Sequence, residues 1–278
     1  MKQFVQRAGG RIGLWGGLLA AALAAFAAGW LVPARAPVGC KLNELTAAPD
    51  FSPFSPAAPA VATSDAGTPA APSLPEKWVC LTFDDGPSPQ TTAALLDGLK
   101  ERGAHATFFL IGEQIAGNED LVRRMKDEGH QVGGHSYTHI RLDSADAAAL
   151  AEIQKTDETL RAILGDGDYW LRPPWGFASD ALKSAVSVPL IYWTLDTMDW
   201  SVRNRDLVAH HIIENAKSGD IVLLHDPYDT SVEAALQTID VLSEQGYEFV
   251  TLEELFSNAG VTPQAGHFYL RADEEVPW

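Results

Sequence analysis

From residue 76 to residue 260 the chain alternates short apolar runs with helical segments, and this alternation constrains its fold more than any other feature. Trp78–Phe83 (WVCLTF), Ala106–Ile111 (ATFFLI), Gln131–Gly133, Tyr169–Leu171, Leu190–Thr194, Ile221–Leu224 and Glu248–Val250 have the length and composition of strands. Between them, Thr91–Arg102 carries Leu95, Leu96 and Leu99 at helical spacing and stops at Gly103. Leu121–Glu128, Asp206–Asn215 and Ser231–Gln245 read as further helices, as does a long segment capped by Ser144 that holds Leu150, Ile153, Leu160 and Ile163. Thr251 and Glu254 form a capping-box pattern that opens a last helix. Strands alternating with helices imply βα units and a parallel sheet. About 185 residues are few against the roughly 250 of a full eightfold barrel. The expected fold is therefore α/β, a distorted, incomplete (β/α) barrel of about seven units, with no internal repeat.

The residues ahead of this region have a different texture. Ile12–Val32 is a run of 21 residues without a charge, long enough at about 1.5 Å per residue to cross a hydrocarbon core of roughly 30 Å. Trp15 and Trp30 stand near its ends, and Lys2, Arg7 and Arg11 precede it. The positive-inside rule places residues 1–11 in the cytoplasm, makes 12–32 a single-pass signal anchor, and puts the rest of the chain outside, in a cell wall or periplasm. A cleaved signal peptide, with Ala34-Arg35-Ala36 or Ala25-Phe26-Ala27 as the small-x-small site, is the competing reading and would give a secreted protein. Residues 33–75 read as a linker. Seven of the 30 residues from Thr46 to Pro75 are proline, a composition that favours extended or disordered chain. The domain spans 76–260, and 261–278 reads as a C-terminal tail.

Composition excludes some functions. The net charge is −17, from 37 acidic and 20 basic side chains, and removing the +4 carried by residues 1–36 leaves −21 for the remainder. No Lys/Arg cluster interrupts that excess, so nucleic acid is not expected as a partner. Two cysteines are too few for a disulfide framework; Cys80 reads as a core thiol, and Cys40 is separated from it by the proline-rich stretch from Thr46 to Pro75. A monomer is the default expectation.

The chemistry-bearing residues follow the strands. Thr82-Phe83-Asp84-Asp85-Gly86-Pro87-Ser88 comes after the first, His135-Ser136-Tyr137-Thr138-His139 after the third, and Arg172-Pro173-Pro174-Trp175-Gly176 after the fourth. Asp196-Thr197-Met198-Asp199-Trp200 and His225-Asp226 follow the next two. A parallel barrel gathers such clusters on one rim. Two histidines four residues apart share one face of a helical turn, and with Asp85 they make a two-histidine, one-carboxylate set suited to Zn²⁺ or another divalent transition metal such as Co²⁺. Asp84 is a second carboxylate, free to act as general base on a water, and Arg172 can keep it ionised. His225 can serve as general acid, held and charged by Asp199. The set points to hydrolysis of an amide or ester. His130, His105, His210, His211 and His267 are expected to be structural or uninvolved, and no role is assigned to Tyr228 beyond a place near the groove.

Taken together, TFDDGPS, HSYTH, RPPWG, DTMDW and LLHD resemble the motifs of the polysaccharide deacetylase family, the NodB-homology group also called carbohydrate esterase family 4. The resemblance covers essentially all of 76–260. It implies Asp84 as base, Asp85, His135 and His139 as metal ligands, Arg172 as the residue orienting the base, and His225 as acid tuned by Asp199. It further implies that the Trp175 amide donates to the oxyanion, that Trp200 lines the site, and that Leu223 helps form a pocket for the acetyl methyl. The implied activity is removal of N-acetyl groups from GlcNAc-containing polysaccharide, with a tethered domain resembling those that act on peptidoglycan. Deacetylation of chitin or its oligomers, O-acetyl esterase activity on xylan, and a catalytically silent glycan-binding surface protein are the alternatives.

Overall fold

The computed structural model describes residues 77–276. The anchor read at 12–32, the linker at 33–75 and Cys40 lie outside the described residues. Among the described residues no helix is long and apolar enough to cross a membrane.

Strands and helices alternate. In chain order they are β1 (Trp78–Asp84), α1 (Thr91–Arg102), β2 (Thr107–Leu110), α2 (Gly112–Ile115), α3 (Glu119–Asp127), β3 (Gln131–Gly134) and α4 (Ala147–Leu164). Then come α5 (Asp180–Ala185), β4 (Leu190–Ile191), β5 (Leu195–Asp196), α6 (Asp199–Val202), α7 (Arg205–Asn215) and β6 (Asp220–His225). The last elements are α8 (Asp229–Glu244), β7 (Glu248–Phe249), α9 (Leu252–Asn258), β8 (Phe268–Arg271) and β9 (Glu274–Glu275).

The main sheet is parallel, in the order β3-β2-β1-β6-β5, with β7 pairing β1 beside the start of β2. From β3 the ladder continues through single bridges, Gly134 to Leu171 and Leu171 to Leu190. The stretch that leaves β4 then enters β5 and returns to β6, so the hydrogen-bonded path comes back to its start as a distorted barrel. Of the strand expected at Tyr169–Leu171, only Leu171 bridges its neighbours, because Pro173 and Pro174 supply no N–H to extend it. The segment after Gly260, read as a tail, instead supplies β8, which pairs β4 in parallel and buries Phe268 and Tyr269.

Alternation along each strand sorts the core into two layers. Val79, Leu81 and Phe83 of β1 face the helices, where Phe83 stacks on Phe108 with centroids 5.4 Å apart. Cys80 faces inward with Phe109 and Ile221, against Phe256 and Leu255 of α9 and Tyr269 of β8. Gly133 of β3 has no alternative residue, since a Cβ there would lie 2.5 Å from the Trp170 carbonyl oxygen. Helix α9 closes the N-terminal end of the barrel. Its first N–H groups donate to Thr107 Oγ1 and Gln131 Oε1, side chains on register-paired residues of β2 and β3. Thr251 and Glu254 form the full capping box. The cap of α4 differs from expectation: Asp146, not Ser144, accepts from the Ala149 N–H, and Ser144 donates to the Asp146 carboxylate. An aspartate one residue before the helix reaches the amide of its third residue, whereas Ser144 lies two residues too early.

Because the α9 cap also orders the barrel floor, Thr251→Ala is expected to destabilise the chain by about 1 kcal/mol, within the usual range for a lost N-cap. Urea denaturation followed by circular dichroism checks this; an unchanged midpoint would show that α9 docks without its cap.

Candidate active site

The register of β1 against β6 pairs Asp84 directly with His225, and Thr82 with Leu223, so the two strands deliver four side chains to the same end of the barrel. Asp84 lies on the inward face of β1 and is almost wholly buried. The chain then turns sharply: Asp85 adopts φ +72 and Gly86–Pro87 is cis. That turn swings Asp85 outward toward the loop after β3. There, Ser136 (φ +58) and His139 (φ +59) build an irregular turn rather than the helical turn expected from the His-x-x-x-His spacing. The two imidazoles converge nonetheless, with centroids 5.0 Å apart.

His139 Nε2 lies 3.3 Å and His135 Nε2 3.6 Å from Asp85 Oδ1, and one ligand atom from each of the three residues falls within a 4.8 Å cluster. Bonds of about 2.0–2.2 Å to a tetrahedral ion place ligand atoms roughly 3.3–3.6 Å apart, so the donor set fits a divalent metal. Two further observations agree. Asp85 Oδ1 is buried without a hydrogen-bond donor. His135 Nδ1 donates to the Arg172 carbonyl at 2.6 Å, which leaves the Nε2 lone pair for a ligand bond. Burial, then the neighbouring His135, lower the pKa of His139 and favour the neutral imidazole that ligates.

Arg172 lies behind Asp84, completely buried. One Nη donates to Asp84 Oδ1 at 2.8 Å and to Thr82 Oγ1 at 2.7 Å, and the other donates to the Tyr192 carbonyl. Its guanidinium rests on the Phe109 ring, 4.3 Å from the centroid. Asp199, at the start of α6, lies behind His225. Its Oδ1 is 2.8 Å from His225 Nδ1, and its Oδ2 accepts the His225 backbone N–H at 2.8 Å. Burial alone would lower the His225 pKa, but the hydrogen bond and charge of Asp199 outweigh it and lift it to about 9. Burial likewise tends to raise the pKa of Asp199, and the His225 hydrogen bond carries it below the usual carboxylate value.

Asp84, Asp85, His135, His139, Trp175, Trp200, Leu223 and His225 line one cavity of about 330 Å³, with Trp193, Asp196 and Tyr228 completing the wall. Arg172 and Asp199 support it from behind. Trp175, held at φ +58 by the 3₁₀ turn Pro174–Gly176, sets its ring edge against His139, and its N–H has no partner among the described residues. Trp175 and Trp200 are 57% and 49% exposed, two aromatic faces at the mouth of a polar cleft.

Asp226 has a setting that the sequence did not disclose. It is fully buried, accepts the Thr92 hydroxyl at 2.6 Å, and packs so tightly under Gly86 that a Cβ there would lie 2.4 Å from its carboxylate. Burial, with further contributions from Asp85 and Asp84, lifts its pKa to about 7. The remaining histidines stay away from the cleft. His130 Nδ1 accepts the Ala106 N–H, and burial drops its pKa to about 4. His105 faces Glu254, His267 faces Glu275, and His210 and His211 lie on α7. Cys80 is a buried free thiol that donates to the Thr251 carbonyl.

Comparison with known proteins matches residues 71–190 to a family model described as polysaccharide deacetylase. The peptidoglycan-N-acetylglucosamine deacetylase PgdA of Listeria monocytogenes serotype 1/2a (strain 10403S) is 39% identical over 181 residues, covering 65% of this chain and 39% of that protein. This chain therefore spans about two fifths of the Listeria protein's length. A peptidoglycan-N-acetylglucosamine deacetylase of Bacillus cereus is 35% identical over 198 residues, covering 65% of this chain and 88% of that one. Among solved structures, a family 4 acetyl xylan esterase from Clostridium thermocellum in complex with a cobalt ion is 30% identical with a TM-score of 0.68, covering 71% of this chain and all of that one.

Removing Arg172 leaves the Asp84 carboxylate buried without its counter-charge. In metal-free protein, Arg172→Met is expected to cost about 3–5 kcal/mol. Adding Asp84→Asn to it should restore part of that loss, which denaturant titration of the two variants reads directly.

Proposed function

The chain belongs to the polysaccharide deacetylase family, and we propose that it is a metal-dependent hydrolase that removes N-acetyl groups from GlcNAc in peptidoglycan and releases acetate. The observation that carries this reading is the convergence of Asp84, Asp85, His135, His139 and His225 on one cleft. The peptidoglycan deacetylases of Listeria and Bacillus cereus support the choice of glycan. Asp85, His135 and His139 would hold Zn²⁺ or Co²⁺. Such an ion, when bound, lowers the pKa of a water and polarises the acetyl carbonyl.

The chain's own residues supply the proton transfers. Asp84, oriented by the Arg172 guanidinium, takes a proton from the attacking water as its oxygen bonds to the acetyl carbon. The Trp175 N–H donates to the carbonyl oxygen as negative charge develops there. His225, cationic beside Asp199, gives its proton to the departing nitrogen as the carbon–nitrogen bond breaks. Leu223 receives the acetyl methyl, and Trp175 and Trp200 stack against the sugar. Asp226, wedged under Gly86 and bonded to Thr92, fixes the turn that presents Asp85.

The anchor at 12–32 and the linker at 33–75 would hold this domain outside the cytoplasmic membrane within reach of the cell wall. The similarity to the xylan esterase favours a second reading, with an O-acetyl ester as the bond cleaved.

Acetate release from peptidoglycan, chitooligosaccharide and acetylated xylan decides between these. Metal-dependent release from a GlcNAc substrate is expected, abolished by chelator, restored by Zn²⁺ or Co²⁺, and reduced at least about a hundredfold in Asp84→Asn. Release from xylan alone would establish the esterase, and release from none would overturn both readings.

The pH profile carries a second expectation. His225 must be protonated to act, and its raised pKa keeps it so through neutrality, so kcat should fall as pH rises through about 9. In Asp199→Asn the carboxylate that raises this pKa is gone, and the alkaline limb should move to lower pH. An unmoved limb would assign the acid to another group.

A further inference from the structure

The described residues include nine arginines, and eight of them lie within 4.0 Å of a carboxylate oxygen. Arg203 is the exception: no carboxylate among the described residues pairs with it. In a chain this acidic, an exposed arginine without a counter-charge is unusual, and Arg203 is also fixed in place. Its Nε donates to the Trp200 carbonyl at 2.7 Å, and its guanidinium lies flat on the Tyr228 ring, 3.1 Å from the centroid. Its backbone sits at φ +47 and its N–H donates to the Asp199 carbonyl, which ties it to the end of α6. Trp200 and Tyr228 both line the cleft.

A stacked guanidinium with its Nε engaged keeps four Nη–H donors in a planar fork, the geometry that matches a carboxylate. The stack has already removed much of the rotamer freedom that a flexible arginine would lose on binding. We propose that Arg203, preset on Tyr228 at the rim of the cleft, is an anion subsite that binds a carboxylate carried by the glycan next to the sugar in the cleft. The proposal rests on the peptidoglycan-deacetylase reading and deepens it. A homopolymer of GlcNAc has no such charge, whereas the peptide substituents of peptidoglycan bear carboxylates, so Arg203 would discriminate between the two. The acetyl-transfer residues contribute nothing to that choice, since they see only the acetamido group.

Binding tests this independently of turnover. Soluble peptidoglycan fragments, and the same fragments with their carboxylates converted to amides by carbodiimide and ammonia, are titrated against the full-length chain and followed by tryptophan fluorescence. The wild type is expected to bind the carboxylate form roughly tenfold more tightly than the amide form, a preference that shrinks as salt is raised. Arg203→Gln should abolish that ratio, and Arg203→Lys, which keeps the charge but not the fork, should retain part of it. Equal binding of both fragments by the wild type, no detectable binding of either, or a ratio unchanged in Arg203→Gln would each overturn the proposal. The salt dependence needs only the wild type and stands even if a variant misfolds. Acetate release from the amidated fragments separately reports on the deacetylase reading: release without a binding preference would sink the subsite alone.

Discussion

Everything in the cleft depends on the register of β1 between its neighbours. Pairing with β6 sets Asp84 beside His225, and pairing with β2 leads through β3 to the loop that carries both His135 and His139. Shifting a strand by one residue turns every side chain to the opposite face. A slip of β1 would therefore bury Phe83 in the polar cleft and turn Asp84 toward the helices. The register is held by the two-layer core, with Val79, Leu81 and Phe83 on one side and Cys80 on the other.

The inward face of β1 changes character along its length. Cys80 meets an apolar floor sealed by α9 and β8, Thr82 meets the Arg172 guanidinium, and Asp84 opens into the cleft. Arg172 is the hinge of that gradient. It is a fully buried cation made tolerable by Asp84, Thr82 and the Tyr192 carbonyl, with the Phe109 face beneath it. The same guanidinium that completes the core also fixes the direction of the carboxylate, so this part of the interior cannot be made more apolar without disturbing the cleft.

Much of this was legible in the sequence because chemistry and turns are local. The motifs TFDDG, HSYTH, RPPWG, DTMDW and LLHD each follow an apolar run, and a parallel sheet had to place them at one end. Geometry that depends on contacts distant in sequence was not legible. The histidine pair suggested a helical turn, yet positive φ at Ser136 and His139 builds a different one that brings the rings together. Asp226 stood in the sequence only as the neighbour of His225, and its packing under Gly86 depends on a contact far away in the chain. Strand β8 was missed because Phe268–Arg271 is too short to stand out and finds its partner some eighty residues earlier, at Leu190.

Seven non-glycine residues of the described chain hold positive φ, and six of them, Asp85, Ser136, His139, Trp175, Met198 and Arg203, belong to the loops around the cleft. Each such conformation costs on the order of 1 kcal/mol relative to ordinary backbone. At most of these positions glycine would relax the chain, but in the proposed reaction Asp85 and His139 are needed for their side chains. The rim is thus where selection for a sturdier fold and selection for the reaction pull in opposite directions. A search for stabilising substitutions would be drawn first to the residues that the proposed chemistry can least spare, and a variant line evolved for stability alone would keep the fold while emptying its cleft.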